Sequence, residues 1–259
     1  MIRVSASAFD ILCQDLGHRV PPGPLLVRSV GSTEQERVEI RESVYDNLAE
    51  RGLVTGGTLD NVLAERLETL ATATVYVECE AMTDLTAESP LRAVAAARGR
   101  RAVLAAQPSK TIGLSAIRDG ELYSAVVGLL PELEPGPGYG VSLPAAVLNG
   151  AVEDPVFGGE NTGNGGGAAG AGSGTYEKQL REVLAIQARP VLGAGQFSVR
   201  VRDQEGRLRR AGGVSWFVTD VGAYLGTVEE GRGGRDWVSV APVDSPKLAA
   251  RLADIAAEA

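Results

Sequence analysis

Between Gly195 and Val243 the chain carries the pattern that most restricts its fold. From Gln196 to Arg202, Phe197, Val199 and Val201 fall on one face and Ser198, Arg200 and Arg202 on the other. A strict period of two marks a half-buried strand. Asp203-Gln204-Glu205-Gly206 has turn composition, and Trp216-Phe217-Val218, Tyr224-Leu225 and Trp237-Val238 supply further β-branched and aromatic runs. Gly212-Gly213, Gly222 and Gly231 to Gly234 punctuate them. The expectation is an antiparallel meander of about four strands. Ser245-Pro246 then reads as an N-cap with proline at the first helical position. Leu248, Leu252 and Ile255 follow at i, i+4, i+7 along one side of a terminal helix.

The same grammar occurs earlier. Val75, Val77 and Cys79 alternate with Tyr76, Glu78 and Glu80, and Leu91 to Ala97, Arg101 to Ala106 and Thr111 to Ile117 follow as strand-like runs. Asp119-Gly120 leads into a helix over Glu121 to Leu130 with Leu122, Val126, Leu129 and Leu130 inward. Four strands and a helix, twice, predict two similar halves of one domain, residues 1–150 and 175–259. Between them, 158–174 is almost devoid of apolar bulk and reads as a flexible glycine-rich linker.

Ahead of the first meander, Ala8 to Gly17 patterns as a short helix with Phe9, Leu12 and Leu16 inward. Leu25 to Val30 reads as an apolar strand. Ser32-Thr33-Glu34-Gln35 reads as a capping box opening a helix that carries Val38, Arg41, Val44, Tyr45 and Leu48 and ends at Gly52. Thr58 is placed as the cap of a further helix bearing Leu59, Val62, Leu63, Leu67 and Leu70. Tyr176 to Arg189 forms another, with Leu180, Val183, Leu184 and Gln187, stopped by Pro190.

Charge narrows the partners. Residues 1–150 hold 19 acids against 13 bases, so the phosphate backbone of a nucleic acid meets repulsion there, and non-specific nucleic-acid binding is disfavoured. No apolar run is long enough to span a bilayer and the first residues lack a signal-peptide layout, so the expected location is the cytoplasm, without membrane insertion. Cys13 and Cys79 sit within apolar patterns and are expected as buried, reduced thiols.

Catalytic chemistry is hard to assemble. His18 is the one histidine and lies in a loop, so neither a Ser-His-Asp set nor a zinc site is expected, and a Cys13–His18 dyad is disfavoured. Gly163 to Gly174 contains no phosphate-loop signature. No enzyme activity, cofactor or metal is expected. Two arginine clusters, Arg98-Arg100-Arg101 and Arg207-Arg209-Arg210, flank strand turns. They read as solvated charge that discourages edge pairing, as partners for acids on the front-half helices, or as a docking patch for nucleic acid or an acidic protein.

Six stretches, taken in order, carry a resemblance. They are Phe9-Asp10-Ile11-Leu12 before Leu16-Gly17; Gly120 to Leu130 ending Leu-Leu-Pro; and Ser142-Leu143-Pro144-Ala145-Ala146. Gly195-Gln196-Phe197 before an arginine-rich turn, Val214 to Tyr224, and Asp236 to Pro242 complete the set. In order and spacing the chain resembles the EspG family, ESX (type VII) secretion-associated proteins of actinobacteria. The resemblance implies an α+β fold with a central antiparallel sheet, helical bundles on either side and a quasi-two-fold axis. It implies a cytosolic chaperone that binds the hydrophobic tip of a PE–PPE heterodimer, keeps it soluble and delivers it for export; homodimerisation stays open. Binding is implied for the loop Met82 to Pro90, with Asp84, Leu85, Thr86 and Glu88, and for two helices, with Leu180, Leu184 and Gln187 on one and Leu248 and Leu252 on the other.

Overall fold

The computed structural model describes residues 1–18, 23–149, 173–231 and 235–259, with backbone alone at 149, 173–175, 230, 231 and 235. The glycine-rich stretch over 158–172 lies outside the described residues, while Ser173 and Gly174 open a helix. Twelve strands and seven α-helices are described. The strands are β1 (Ile2–Ser5), β2 (Val54–Thr55), β3 (Thr58–Leu59), β4 (Val75–Met82), β5 (Leu91–Arg98), β6 (Arg101–Gln107), β7 (Thr111–Ile117), β8 (Val141–Pro144), β9 (Val191–Arg202), β10 (Leu208–Thr219), β11 (Gly222–Gly231) and β12 (Arg235–Pro242). The helices are α1 (Ala6–Asp15), α2 (Glu34–Glu50), α3 (Asn61–Thr72), α4 (Leu122–Val127), α5 (Ala145–Asn149), α6 (Ser173–Gln187) and α7 (Ser245–Ala257). Ten strands form one large sheet in the order β1-β7-β6-β5-β4-β9-β10-β11-β12-β8, and every pairing of known register is antiparallel.

By backbone contacts the chain falls into two compact units. One comprises Met1–Glu132, Gly195–Gly213 and Ser245–Ala259, the other Leu133–Ala194 and Val214–Asp244.

In the first unit the middle of the sheet, β4 to β6, is buried on both faces. Tyr76, Val94, Ala96, Val103, Ala105, Ile112 and Leu114 share a core with Phe9 and Leu12 of α1, Leu48 of α2 and Leu63, Leu67 and Leu70 of α3. Alternation turns Val77, Cys79, Ala93 and Ala95 to the opposite face, and they are buried too. Across β5 that face is mostly alanine, and α4 lies against β4, β5 and β6 while also packing on α7. This double burial explains why β5 reads as a nearly continuous apolar run, and it also buries Tyr76 and Glu78 on the face of β4 that the alternation sets opposite the valines.

Several local expectations shift. Leu25 to Val30 forms no strand. Instead the Gln107 amide brackets Leu26, accepting from its N–H at 2.6 Å and donating to its carbonyl at 3.1 Å, so one side chain does the work of a ladder rung. The capping box sits one residue later. Thr33 Oγ1 accepts from Glu36 N–H, and Glu36 reaches back to Ser32 N–H at 2.8 Å. Thr58 belongs to a small hairpin, β2–β3, turned at Gly56-Gly57, and the cap of α3 is Asp60, which accepts from Leu63 N–H. Val38 and Val62 are about half exposed rather than inward. The helix expected over Glu121 to Leu130 is a 3-10 turn at Asp119–Glu121 followed by the short α4. Gly212-Gly213 lies inside β10 and not between strands. A Cβ on Gly212 would sit 2.9 Å from Ile255 Cγ2, so the glycine marks where α7 meets the strand.

Helix α2 has one fully buried residue, Leu48, and is held to α1 largely by charge. Arg37 donates through Nη1 to Asp10 Oδ2 at 2.9 Å and to the Val30 carbonyl at 2.6 Å, and through Nε to Gln14 at 2.6 Å. Asp10 is only 8% exposed, so truncating its partner strands a carboxylate away from water. Arg37→Ala is expected to cost about 2 kcal/mol in urea unfolding. A loss indistinguishable from zero would make this clamp an ordinary surface pair.

In the second unit, α5 and α6 lie over β8 and β12. Val141, Leu143, Val183, Ile186, Tyr224 and Val240 form its core, with Leu180, Tyr176 and Phe217 packed alongside. Phe217 stacks on Tyr224 with ring centroids 5.5 Å apart, and Tyr176 meets Trp237 edge-on at 6.1 Å. The proline-glycine stretch after Leu133 straps this core. Tyr224 Oη donates to the Pro137 carbonyl, and Ala223 exchanges backbone hydrogen bonds with Glu134 and Gly136.

Candidate functional site

The loop between β4 and β5 is short, exposed and locally ordered. Asp84 Oδ1 accepts from the Thr86 N–H at 2.8 Å and from its hydroxyl at 2.7 Å, and the Asp84 carbonyl accepts from Ala87 N–H. This is an Asx turn, built by residue types that bond their own backbone. The bonds from Thr86 hold the Asp84 carboxyl below its ordinary range. The turn displays Leu85 at 49% exposure, with Glu88 exposed beside it. One apolar side chain on a pre-ordered turn can bury itself in a partner with little ordering cost.

On α6, Val183 and Ile186 are buried, whereas Leu180 and Leu184 are half-buried along the flank and Gln187 is exposed. The spacing i, i+4, i+7 places the last three on one stripe. Glu182 accepts from the Tyr139 N–H at 3.0 Å, tying the proline-glycine strap to the helix. Tyr139 is 87% exposed, and Leu192, in the strand that follows α6, is 53% exposed. Sequence reasoning missed both. Tyr139 lies among turn residues, and Val191-Leu192 stands behind Pro190 where the chain reads as a stop; the apolar dipeptide itself was the one available signal.

Leu248 and Leu252 on α7 require a correction. Both are fully buried, with Ile255 on the same inward side. The i, i+4, i+7 spacing gives one side of a terminal helix, as found; client contact for these two is only what the resemblance implies, and in this chain α4 and the neighbourhood of Gly212 already cover that side. These leucines support the helix from inside and present nothing to a visitor.

Four of the cluster arginines, Arg98, Arg101, Arg207 and Arg209, are engaged within the chain. Arg101 pairs with Glu65 at 3.1 Å, and Arg98 donates to Thr72 and lies 4.0 Å from Glu68, so acids of α3 answer the first cluster. In the β9–β10 turn, Arg209 meets Asp203 at 2.7 Å and Arg207 reaches Asp203 and Glu205. Such pairing cancels much of the positive field that a phosphate backbone needs.

The thiols are not poised for nucleophilic work. Burial first, and Asp10 second, push Cys13 up to about 12, and burial with Glu80 does the same for Cys79. His18 is fixed through its backbone N–H to the Cys13 carbonyl. Among the described residues no group of three or more histidines, cysteines or acids could hold a metal ion, and no helix is long and apolar enough to cross a membrane.

Comparison with known proteins completes the picture. A search of curated proteins finds no match. Among solved structures, the chain is similar to the Mycobacterium tuberculosis type VII secretion system chaperone EspG5, which was solved in complex with a PE25–PPE41 dimer. The TM-score is 0.68 at 14% identity, covering 98% of this chain and 95% of that one, which shows a shared fold. The sequence model of the EspG family matches residues 5–254, nearly the whole chain, and by that match this chain belongs to the EspG family.

Proposed function

We propose that this protein is a cytosolic type VII secretion chaperone that caps the hydrophobic tip of a helical PE–PPE-type heterodimer, keeps it soluble and releases it for export. Family membership across residues 5–254 carries this reading. The shared fold with a chaperone solved on such a dimer adds to it. Its task is non-enzymatic. An exposed apolar helix tip self-associates in water, and covering it with an apolar patch rimmed by polar groups removes that driving force.

Two elements of this chain suit the role, each taken by itself. The Asp84–Glu88 turn offers Leu85 on a pre-formed scaffold with acids flanking it. The α6 stripe offers Leu180 and Leu184 at its half-buried flank and Gln187 beyond. The chain acts as one EspG-like domain in this reading.

The test is co-expression. A helical PE–PPE pair from the same genome should precipitate when produced alone and stay soluble, co-purifying, when produced with this chain. Leu85→Asp should weaken the complex about tenfold, close to 1.4 kcal/mol, without altering the melting temperature of the free protein. A pair equally soluble with and without the chain removes the chaperone reading.

A further inference from the structure

Helix α2 lies on α1 with little apolar contact of its own. Of its 17 residues only Leu48, in the last turn, is fully buried. By comparison α3 buries Leu63, Leu67, Thr69 and Leu70 within 12 residues. Over Glu34 to Tyr45 burial goes no further than half, at Arg37, Ile40, Val44 and Tyr45. One flank of this stretch is undercut: an open groove of about 720 Å³ lies between Glu39, Ile40 and Ser43 on one wall and Arg3, Ser5 and Ser7 on the other. The seat on α1 is polar instead. Besides the Arg37 contacts, Arg41 Nε and Tyr45 Oη both donate to Asp15 Oδ2 at 2.8 Å. When such groups part, each regains water, so they fix a position while adding little net stability. Within the helix, Glu42, Asp46 and Glu50 recur at i, i+4, i+8, like charges that weaken it further. The last turn differs. Leu48 enters the core with Val54, and Arg51 donates to the Arg3 carbonyl. Gly52 takes a left-handed cap at φ 69°, its N–H and that of Leu53 returning to the Ala49 and Leu48 carbonyls.

We propose that residues 34–45 form a hinged arm, which leaves α1 as one unit by pivoting on the buried last turn of α2 while α1, α3 and the strands of the first unit stay packed. At its other end the arm joins the chain through Gly31, at φ 83°, a conformation that glycine adopts at little cost. Opening carries Arg37 away from Asp10 and Arg41 away from Asp15, hydrates both carboxylates and widens the groove beneath the helix. The core does not come apart, because Phe9 and Leu12 of α1 remain in the cluster they share with α3 and the sheet. A stretch of this length is marginal as an isolated helix, so its amides reach solvent once it is released.

The experiment is amide hydrogen exchange of the full chain, read residue by residue by NMR in urea concentrations below the unfolding transition. Amides from Val38 to Tyr45 should share one opening free energy, exchange about a hundredfold faster than those of Leu67, Leu70 and β5, and show a much shallower dependence on urea. Arg37→Ala should speed all of them by about tenfold or more, Tyr45 included, two turns from the substitution. Three results would overturn the proposal. One is protection equal to that of α3 with the full urea slope of global unfolding. The second is protection that climbs steadily from Val38 to Tyr45, which is fraying from the helix end. The third is an Arg37→Ala effect confined to the first turn. The wild-type pattern decides the first two even if the variant fails to fold, and client solubilisation stands or falls independently of all three.

Discussion

Leu252→Ala should lower the free energy of unfolding by about 3–4 kcal/mol, the scale for emptying a fully buried leucine site. Leu252 is at 0% exposure on a helix that packs against α4. Urea denaturation checks the stability. Client affinity of the folded fraction, measured in parallel, should change less than threefold. If instead affinity falls tenfold while stability holds, Leu252 is a contact residue and its burial in the isolated chain is reversed on binding.

Gly136→Ala should cost about 2–3 kcal/mol, within the usual range for overpacking. A Cβ there would lie 2.3 Å from Tyr224 Cζ and 2.4 Å from its hydroxyl oxygen. The ring cannot swing away. It is 1% exposed, stacked on Phe217 and bonded to the Pro137 carbonyl. Either the strap lifts, losing the backbone bonds of Ala223 with Glu134 and Gly136, or the aromatic pair separates. The double variant Gly136→Ala/Tyr224→Leu should recover part of the loss, because the smaller side chain makes room. If the alanine variant melts with the wild type, the strap does not hold the second unit's core.

Much of the strand content was legible because it rests on a short-range rule. Alternation at Val75, Val77 and Cys79, and at Phe197, Val199 and Val201, needs only that one face be buried, and the strands appear where that pattern runs. Burial of both faces left the type intact, since β5 has alanines and valine where either face meets a helix. Capping was readable to within one or two residues. Ser32, Thr33, Thr58 and Asp60 are all competent caps, and the deciding factor, which amide the incoming chain brings within hydrogen-bond reach, is geometric.

The candidate site was legible only in part. The Asp84-Leu85-Thr86 turn is coded locally, its side chains bonding their own backbone, so its exposure follows from composition. Leu248 and Leu252 show the opposite case. An amphipathic stripe states that a helix has an apolar side, but whether that side meets the same chain or a different one depends on what else has folded against it. The sequence alone determined the strands of the two meanders, the apolar side of α7 and a family likeness spread over the whole chain. Tertiary structure alone decided that Gly212 lets α7 approach β10, that the arginines at the turns are answered by nearby acids, and that α7 spends its leucines inside. Local pattern follows from the backbone's own period and hydrogen bonds, whereas surface availability is what remains after every apolar face has found its partner, and that remainder exists only once the chain is folded.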